Sequence, residues 1–499
     1  MGTARFPWLE GRARLTPAKT AVVEAGTGLR LTYAELHLRV NRLASWMQQQ
    51  GIGPGDRIAL LAPNSASYLE LLFAAGKTGA VFVPLNYRFS HAELTYVLAD
   101  CTPKLLVCYD RFAAAGERLS GLVPLILAQD EYQTVVEQGA QTYRPTEVDA
   151  EAAWAIIYTG GTTGQAKGVV LSHRAVLWNS INTVASWGLT EQEVTPVYLP
   201  MFHTGGLNAL LMPVLYMGGT AVIGDQFDPP TVLQVLESER CTIALFVPTM
   251  HHMLIESTEF SDYKSATMHT FLSGGAPCPL HIYEAYRAKG LQFKEGYGLT
   301  EAGPNNFYIH PDLAQVKIGS VGLPMLHNEV RLVDGLGQDV APGETGELLI
   351  RGQHVFSGYW NNQQATDEAL QDGWLHTGDL GRRDADGYHY IVGRKKEMII
   401  TGGENVYPLE IEHILAAHPA VKEVVVIGVP HPKWGEVVTA VIVLQGGTTL
   451  TADELKLYGT EHLARYKVPK SYVFLDQLPM TPVGKIDKKQ LTALCFATA

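Results

Sequence analysis

The sequence predicts an α/β protein, with a large N-terminal domain of several subdomains built on mixed and parallel sheets and a small α+β C-terminal domain. Three observations predict it. The chain has 499 residues, and a single hydrophobic core stops growing near ~250–300 residues. Through the first two thirds, short apolar runs rich in β-branched residues alternate with helix-like segments, the pattern of buried parallel strands and their crossovers. From Asp379 to Val406 the chain turns rich in glycine and charge, and a compact helix–strand pattern follows.

In chain order, Thr32–Glu35 is a capping box, followed by Leu36, Val40, Leu43 and Met47 on one helical face and closed by Gly51. Strands are expected at Arg57–Leu61, Val81–Pro84 and Leu105–Cys108, with a helix around Tyr68–Ala75 between the first two. A second alternating stretch covers about 150–330, with strands at Ala153–Tyr158 and Ile243–Val247. The glycine-rich break reads as a hairpin, a boundary and a second loop. Beyond it we expect helices near Pro408–Ala417 and Ala452–Tyr466, and strands at Glu423–Val429, Val438–Leu444 and Tyr472–Leu475. The domains so delimited are 1–394 and 395–499.

Composition excludes several classes. Lys and Arg number 38 against 50 Asp and Glu, a net charge of −12, so the basic surface that nucleic acid requires is missing. The five cysteines are scattered and odd in number, without CxxC pairing, which argues against a disulfide scaffold or a structural zinc site. No apolar run is long enough for a signal peptide or an integral membrane segment, and a cytoplasmic protein is expected. Oligomeric state is left open, a dimer being one option.

The most informative segment is Tyr158–Gly168, which packs four glycines, three threonines and a lysine into eleven positions after a strand. Glycines let successive N–H groups point inward as an anion nest, the hydroxyls add donors, and Lys167 adds a cation. The G-x-x-x-x-G-K-[ST] pattern cannot be aligned to it. Taken alone, the segment also reads as a glycine-rich turn with a surface lysine. It does not stand alone. Downstream, in order, come Gly274–Pro277, Tyr297–Glu301, Trp374–Asp379, Gly393–Lys396, Gly402–Pro408 and Pro482–Lys485.

With those motifs in this order, from about Leu31 to Lys489, the chain resembles the adenylate-forming superfamily of acyl-CoA synthetases, amino-acid-activating domains and beetle luciferases. Two positions depart from the usual pattern: Gly160 stands where the family has Ser, and Ala166 where it has Pro. The resemblance implies that a carboxylate attacks the α-phosphate of ATP to give an acyl-adenylate and pyrophosphate, and that a thiol then displaces AMP. It implies a mobile C-terminal domain, with Lys396 as the hinge. The catalytic residues it implies are Lys485, His203, Thr163 and Lys167. For ATP and AMP it implies Thr159, Gly161, Thr162, Gly164, Gly274, Gly275, Ala276, Tyr297, Gly298, Thr300, Asp379 and Arg394. Glu301 matches the magnesium position, and Mg²⁺ suits one or two protein carboxylates plus phosphate oxygens. Tyr297 is expected to stack on adenine, Asp379 and Arg394 to meet the ribose. Lys485 should supply positive charge where the carboxylate meets the polyphosphate. A carboxylate is already ionised at pH 7, so no general base is needed.

The segment Leu199–Asn208 matches the acyl-pocket motif, with His203 as its gate. Gly205, Gly206, Asn208, Pro248, Met250 and Gly303 are its expected wall. Without an aspartate for an ammonium or a Lys or Arg near Phe202–Asn208 and Val247–Met250, an amino acid or a diacid is disfavoured. A small apolar wall suits a fatty acid or an apolar aryl acid. Only 14 residues follow Lys485, so the thiol is expected to arrive by diffusion, as CoA. Gly402 and Gly403 should line its path. Arg88, Trp434, Tyr466 and Lys470 resemble CoA contacts of some relatives. The reading is thus an acid–CoA ligase using ATP, Mg²⁺ and CoA. A synthetase loading a separate carrier protein and a catalytically silent nucleotide-binding relative are its alternatives.

Overall fold

The computed structural model of the chain describes residues 8–160, 165–480 and 486–498. The chain falls into two compact units: one comprising residues up to Cys278 with Ile282–Val330 and Ile350–Leu375, the other Pro279–His281, Arg331–Leu349 and the chain from His376 onward.

The first unit begins as its sequence dictates. Thr32 Oγ1 accepts from the Glu35 N–H at 3.2 Å and Glu35 accepts from the Thr32 N–H at 2.8 Å, closing the capping box. Helix Tyr33–Gln49 follows and buries Leu36, Val40, Leu43 and Met47. Strands Arg57–Leu61, Val81–Pro84 and Leu105–Cys108 form where the apolar runs stand, as parallel neighbours. Every residue of the last two is buried, the condition of a strand covered on both faces. They lie at the centre of a seven-stranded sheet that runs from Gly358–Tyr359 through Lys167–Ser172 and Ala153–Thr159 to Leu125–Ala128. Polarity reverses at one side: Lys167–Ser172 is antiparallel to Ala153–Thr159, pairing Thr159 with Lys167. Both of those paired residues belong to the glycine-rich segment.

A second, three-stranded sheet is wholly parallel: Ile243–Phe246, Thr270–Ser273 and Phe293–Glu295. Its two faces are chemically distinct because side chains alternate along each strand. Ala244, Phe246, Phe271 and Phe293 pack into one aromatic-rich core, whereas Leu245 and Leu272 pack on the other side with Trp187, Leu210 and Val214. A four-stranded sheet of Arg30–Thr32, Thr20–Glu24, Thr220–Ile223 and Val194–Val197 also belongs to this unit and has no strong sequence signature.

In the second unit, Trp374–Arg383 and His389–Arg394 form the expected hairpin. The C-terminal sheet places Gly435–Leu444 between Val421–His431 and the parallel strand Ser471–Phe474, and hairpin Ile399–Thr401 with Glu404–Val406 joins it. Alternation again sorts the strands. Val426, Val438, Ala440 and Ile442 face helices Pro408–Ala416 and Ala452–His462, while Val425, Ile427, Val441 and Val443 face Leu491 and Cys495 of the last helix, Lys488–Thr498. Helix Ala452–His462 stops four residues before the expected Tyr466, because Leu463 adopts extended backbone. Among the described residues no helix is long and apolar enough to cross a membrane.

Candidate active site

Parallel sheets place ligands beyond the carboxyl ends of their strands. In the three-stranded sheet those ends deliver three of the expected segments. Phe246 leads to Val247 and Pro248, Ser273 to Gly274–Ala276, and Glu295 to Tyr297–Glu301. Backbone bonds tie them in sequence: the Gly274 N–H donates to Phe246 O at 3.2 Å and the Gly296 N–H to Ser273 O at 2.9 Å. Gly275 turns with φ +83°, a conformation that a side chain would strain. Met250, in helix Pro248–Glu256, leans on the core around Phe246.

The Tyr297–Glu301 segment is held closely. The Asn306 N–H donates to Tyr297 O at 3.1 Å, and the Tyr297 ring meets Phe307 edge-on at 5.9 Å. A Cβ on Gly298 would fall 2.1 Å from Pro304 O, so only glycine fits there. Thr300 and Glu301 lie in a single 3₁₀ turn, Thr300–Ala302, whose Glu301 carbonyl accepts from the Phe356 N–H at 2.8 Å.

Of the glycine-rich segment, Thr159 and Lys167 are the paired strand residues on either side. Gly161, Thr162, Thr163 and Gly164 lie outside the described residues, as does Lys485. Lys167 extends over the ring of Tyr359, its Nζ 5.0 Å from the centroid, and the Tyr359 hydroxyl donates to Glu301 Oε1 at 2.8 Å. One side chain therefore spans the nest's cation and the candidate metal carboxylate. The sequence carries no signal for Tyr359, since Ser-Gly-Tyr-Trp reads as an ordinary turn. It is positioned by a two-residue strand that pairs Tyr359 with Val169. Hydrogen bonds to charged groups contribute about 1.5–3 kcal/mol. Tyr359→Phe should therefore raise the Mg²⁺ concentration needed for half-maximal rate by about tenfold, as measured by titration at fixed ATP.

The acyl motif forms a π-type turn, Gly205–Ala209, after Thr204. A Cβ on Gly206 would lie 2.3 Å from Pro200 O and 2.6 Å from Leu199 O, so the turn closes only with glycine. His203 packs against Phe202 at 4.5 Å, and Arg88 lies over two rings, 5.8 Å from that of Tyr87 and 5.9 Å from that of Phe202. Gly303 has φ +69° and faces Asn179, whose Nδ2 donates to Asn208 O at 2.8 Å. Gly303 O in turn accepts from Asn306, and Asn306 Oδ1 bonds the buried His354 ring at 2.9 Å. Burial lowers that imidazole to about 4, leaving it neutral at pH 7.

In the second unit, Asp379 is buried and faces Arg394 across the hairpin, Nε to Oδ1 2.8 Å. The Thr377 hydroxyl accepts from the Asp379 N–H at 3.0 Å, fixing the carboxylate's backbone. Lys396 sits in a 3₁₀ turn, Lys395–Glu397, flanked by ion pairs Lys395–Glu347 and Lys488–Glu397, both 2.8 Å. Gly402, Gly403, Trp434 and Lys470 gather. The Gly402 N–H donates to Trp434 O at 2.9 Å, and Lys470 Nζ lies 3.7 Å above the half-exposed Trp434 ring, with Lys433 at 4.9 Å. Tyr466 stands apart, beside Lys467, which pairs with Glu410 at 2.6 Å.

This arrangement, with strand-end loops and a carboxylate gathered beyond the carboxyl ends of a parallel sheet, is where an α/β enzyme binds its ligand. Comparison with known proteins specifies the family. Residues 9–360 match the model of the AMP-binding enzymes and residues 410–485 that of the AMP-binding enzyme C-terminal domain. The chain belongs to the AMP-binding enzyme family. It is 41% identical to a feruloyl-CoA synthase of Amycolatopsis sp. over 97% of each chain. It is 38% identical to an indoleacetate–CoA ligase of Aromatoleum aromaticum, over 98% of this chain and 97% of that one. Among solved structures, the o-succinylbenzoate CoA synthetase of Bacillus subtilis in complex with its acyl-adenylate intermediate superposes with a TM-score of 0.88, at 33% identity and 97% coverage of both chains.

Proposed function

We propose that this protein is an ATP-dependent acid–CoA ligase, forming AMP and pyrophosphate through an acyl-adenylate. The observation that carries the reading is the convergence, within one unit, of three strand-end loops with a Lys167–Tyr359–Glu301 chain that joins the glycine-rich segment to a carboxylate. One carboxylate with Thr300 beside it is a donor set suited to Mg²⁺ carried on a polyphosphate, and bound there the ion would offset phosphate charge. In this reading Thr159–Lys167 holds the phosphates, Tyr297 and Gly274–Ala276 hold adenine, and Asp379 with Arg394 holds the ribose.

The first half-reaction needs positive charge at the α-phosphate, which we assign to Lys485. Lys396 is the pivot dividing 1–394 from 395–499, and the Gly402–Gly403 segment with Trp434 and Lys470 serves CoA. An exposed indole beneath an ammonium offers both a flat face for a base and a charge for a phosphate. The acid lies against the Gly205–Asn208 turn, Gly303 and Pro248, with His203 between it and the thiol's path. The wall favours an apolar tail, and the feruloyl and indoleacetate relatives support an aryl acid over a fatty one.

Pyrophosphate release across a panel of aryl and fatty acids, with and without CoA, tests the assignment. The expected result is acid-dependent release and an acyl-CoA product. Adenylate formation with no thioester after CoA addition would instead identify an enzyme that loads a separate carrier protein. No release with any acid would identify a silent nucleotide binder.

A further inference from the structure

Lys294 is a charged side chain in the middle of a buried parallel strand, 3% exposed. Its register partners are Leu272 and, through it, Leu245, so the lysine ends an otherwise apolar row on one face of the three-stranded sheet. That row packs with Trp187 and Leu210, and Leu210 directly follows the Gly205–Ala209 turn. At its Leu245 end the row meets the Gly274 loop, where a Cβ would stand 3.5 Å from Leu245 Cδ1. Lys294 therefore belongs to the face that carries the acyl motif.

Its surroundings are unusual for a cation. Nζ lies 4.4 Å from the Trp187 ring centre and 4.3 Å from that of Tyr308, and among the described residues no carboxylate or carbonyl accepts from it. Trp187 Nε1, also buried, has no hydrogen-bond partner among the described residues. The ammonium thus lies against two flat ring faces at the end of an apolar row, and one of those rings carries an N–H that no described residue accepts from. The two ring faces attract the cation, yet burial drives the ammonium down to about 7.

We propose that Lys294, with Trp187 Nε1, is the specificity-determining donor pair of the acyl site and receives the distal hydroxyl of a phenolic aryl acid. The proposal rests on the ligase reading above. An alkyl tail would oppose both donors with methylene groups and leave them unsatisfied. A lysine ammonium is a compact point donor that a single hydroxyl oxygen can satisfy. Sites built to bond a substrate hydroxyl reject the analogue lacking it far more strongly than apolar pockets separate methylenes.

The test compares kcat/KM for 4-hydroxycinnamate, cinnamate and octanoate in the wild type, Lys294→Met and Trp187→Phe. We expect the wild type to prefer 4-hydroxycinnamate over cinnamate by about tenfold or more, mainly through KM. That ratio should fall to about one in Lys294→Met and partway in Trp187→Phe, and Lys294→Met should melt at a higher temperature because it removes a buried unpaired charge. The wild-type ratio needs no variant and so does not depend on either folding. Turnover of the three acids without discrimination, or a Lys294→Met loss that falls equally on cinnamate and its hydroxylated form, overturns the proposal while leaving the ligase intact. No turnover of any acid overturns both.

Discussion

Lys485→Ala should lower pyrophosphate release by ~10²–10³-fold or more, yet leave conversion of supplied acyl-adenylate and CoA to thioester near the wild-type rate. The reason is where charge accumulates. In adenylation an anionic carboxylate approaches a polyphosphate, and a fixed cation at the α-phosphate is stronger in that transition state than in the ground state. In thioester formation the phosphate leaves as AMP from a carbonyl already activated, so the same cation has less to do. Gly403→Leu should show the opposite pattern. Gly403 has φ +87° with nothing within 4 Å of where a Cβ would stand, so the leucine meets strain in its own backbone and projects into the open space beside Gly402. Adenylation by that variant is the internal check on folding. Stopped assays of the two half-reactions separate the outcomes. Equal slowing of both halves by both variants would refute a division of labour between Lys485 and the glycine segment.

Much of the fold was legible because its signals were local. The Thr32 capping box, the buried strand Leu105–Cys108 and the alternation in Val421–His431 each follow from residues within one element. The four-stranded sheet of the first unit was not legible, since Thr20–Glu24 and Thr220–Ile223 are short and pair across some two hundred residues. The same divide runs through the candidate site. Gly274–Pro277 and Tyr297–Glu301 declare themselves as glycine-rich motifs, and the structure shows why: they leave adjacent parallel strands. Tyr359 and Lys294 do not declare themselves. Tyr359 matters because a two-residue strand carries it to Val169, and Lys294 because its strand is buried. Both facts belong to tertiary packing. Lys294 also sits immediately before Glu295, so the local pattern reads as an ordinary charged pair on a surface.

Glu295 carries the second large effect. It closes its strand just before Gly296 and Tyr297, buried on the aromatic-core face opposite Lys294. There it accepts from the Tyr283 hydroxyl at 2.5 Å and from the Cys278 N–H at 3.1 Å. It thereby ties the end of the Gly274–Pro277 segment to the strand that presents Tyr297. Burial raises its carboxyl to about 7 from a usual 4.5, and the two donated hydrogen bonds offset only part of that rise. With the folded value above the unfolded one, the native state holds a proton that the unfolded chain releases. The stabilisation is complete below about pH 4 and is lost as pH rises to 7 and beyond. At about 1.4 kcal/mol per unit, the window amounts to on the order of 3 kcal/mol. Lys294 titrates in the opposite sense, from about 7 upward, so its window adjoins this one without overlapping it. Glu295→Gln keeps an acceptor for both donors but cannot ionise. The variant's stability relative to wild type should therefore rise by on the order of 3 kcal/mol between pH 5 and pH 8, measured by urea unfolding at each pH. A difference that stays flat across that range would mean Glu295 does not change charge there. A rising difference accompanied by a lower KM for ATP at pH 8 would show that the neutral tie is what holds the two segments in register.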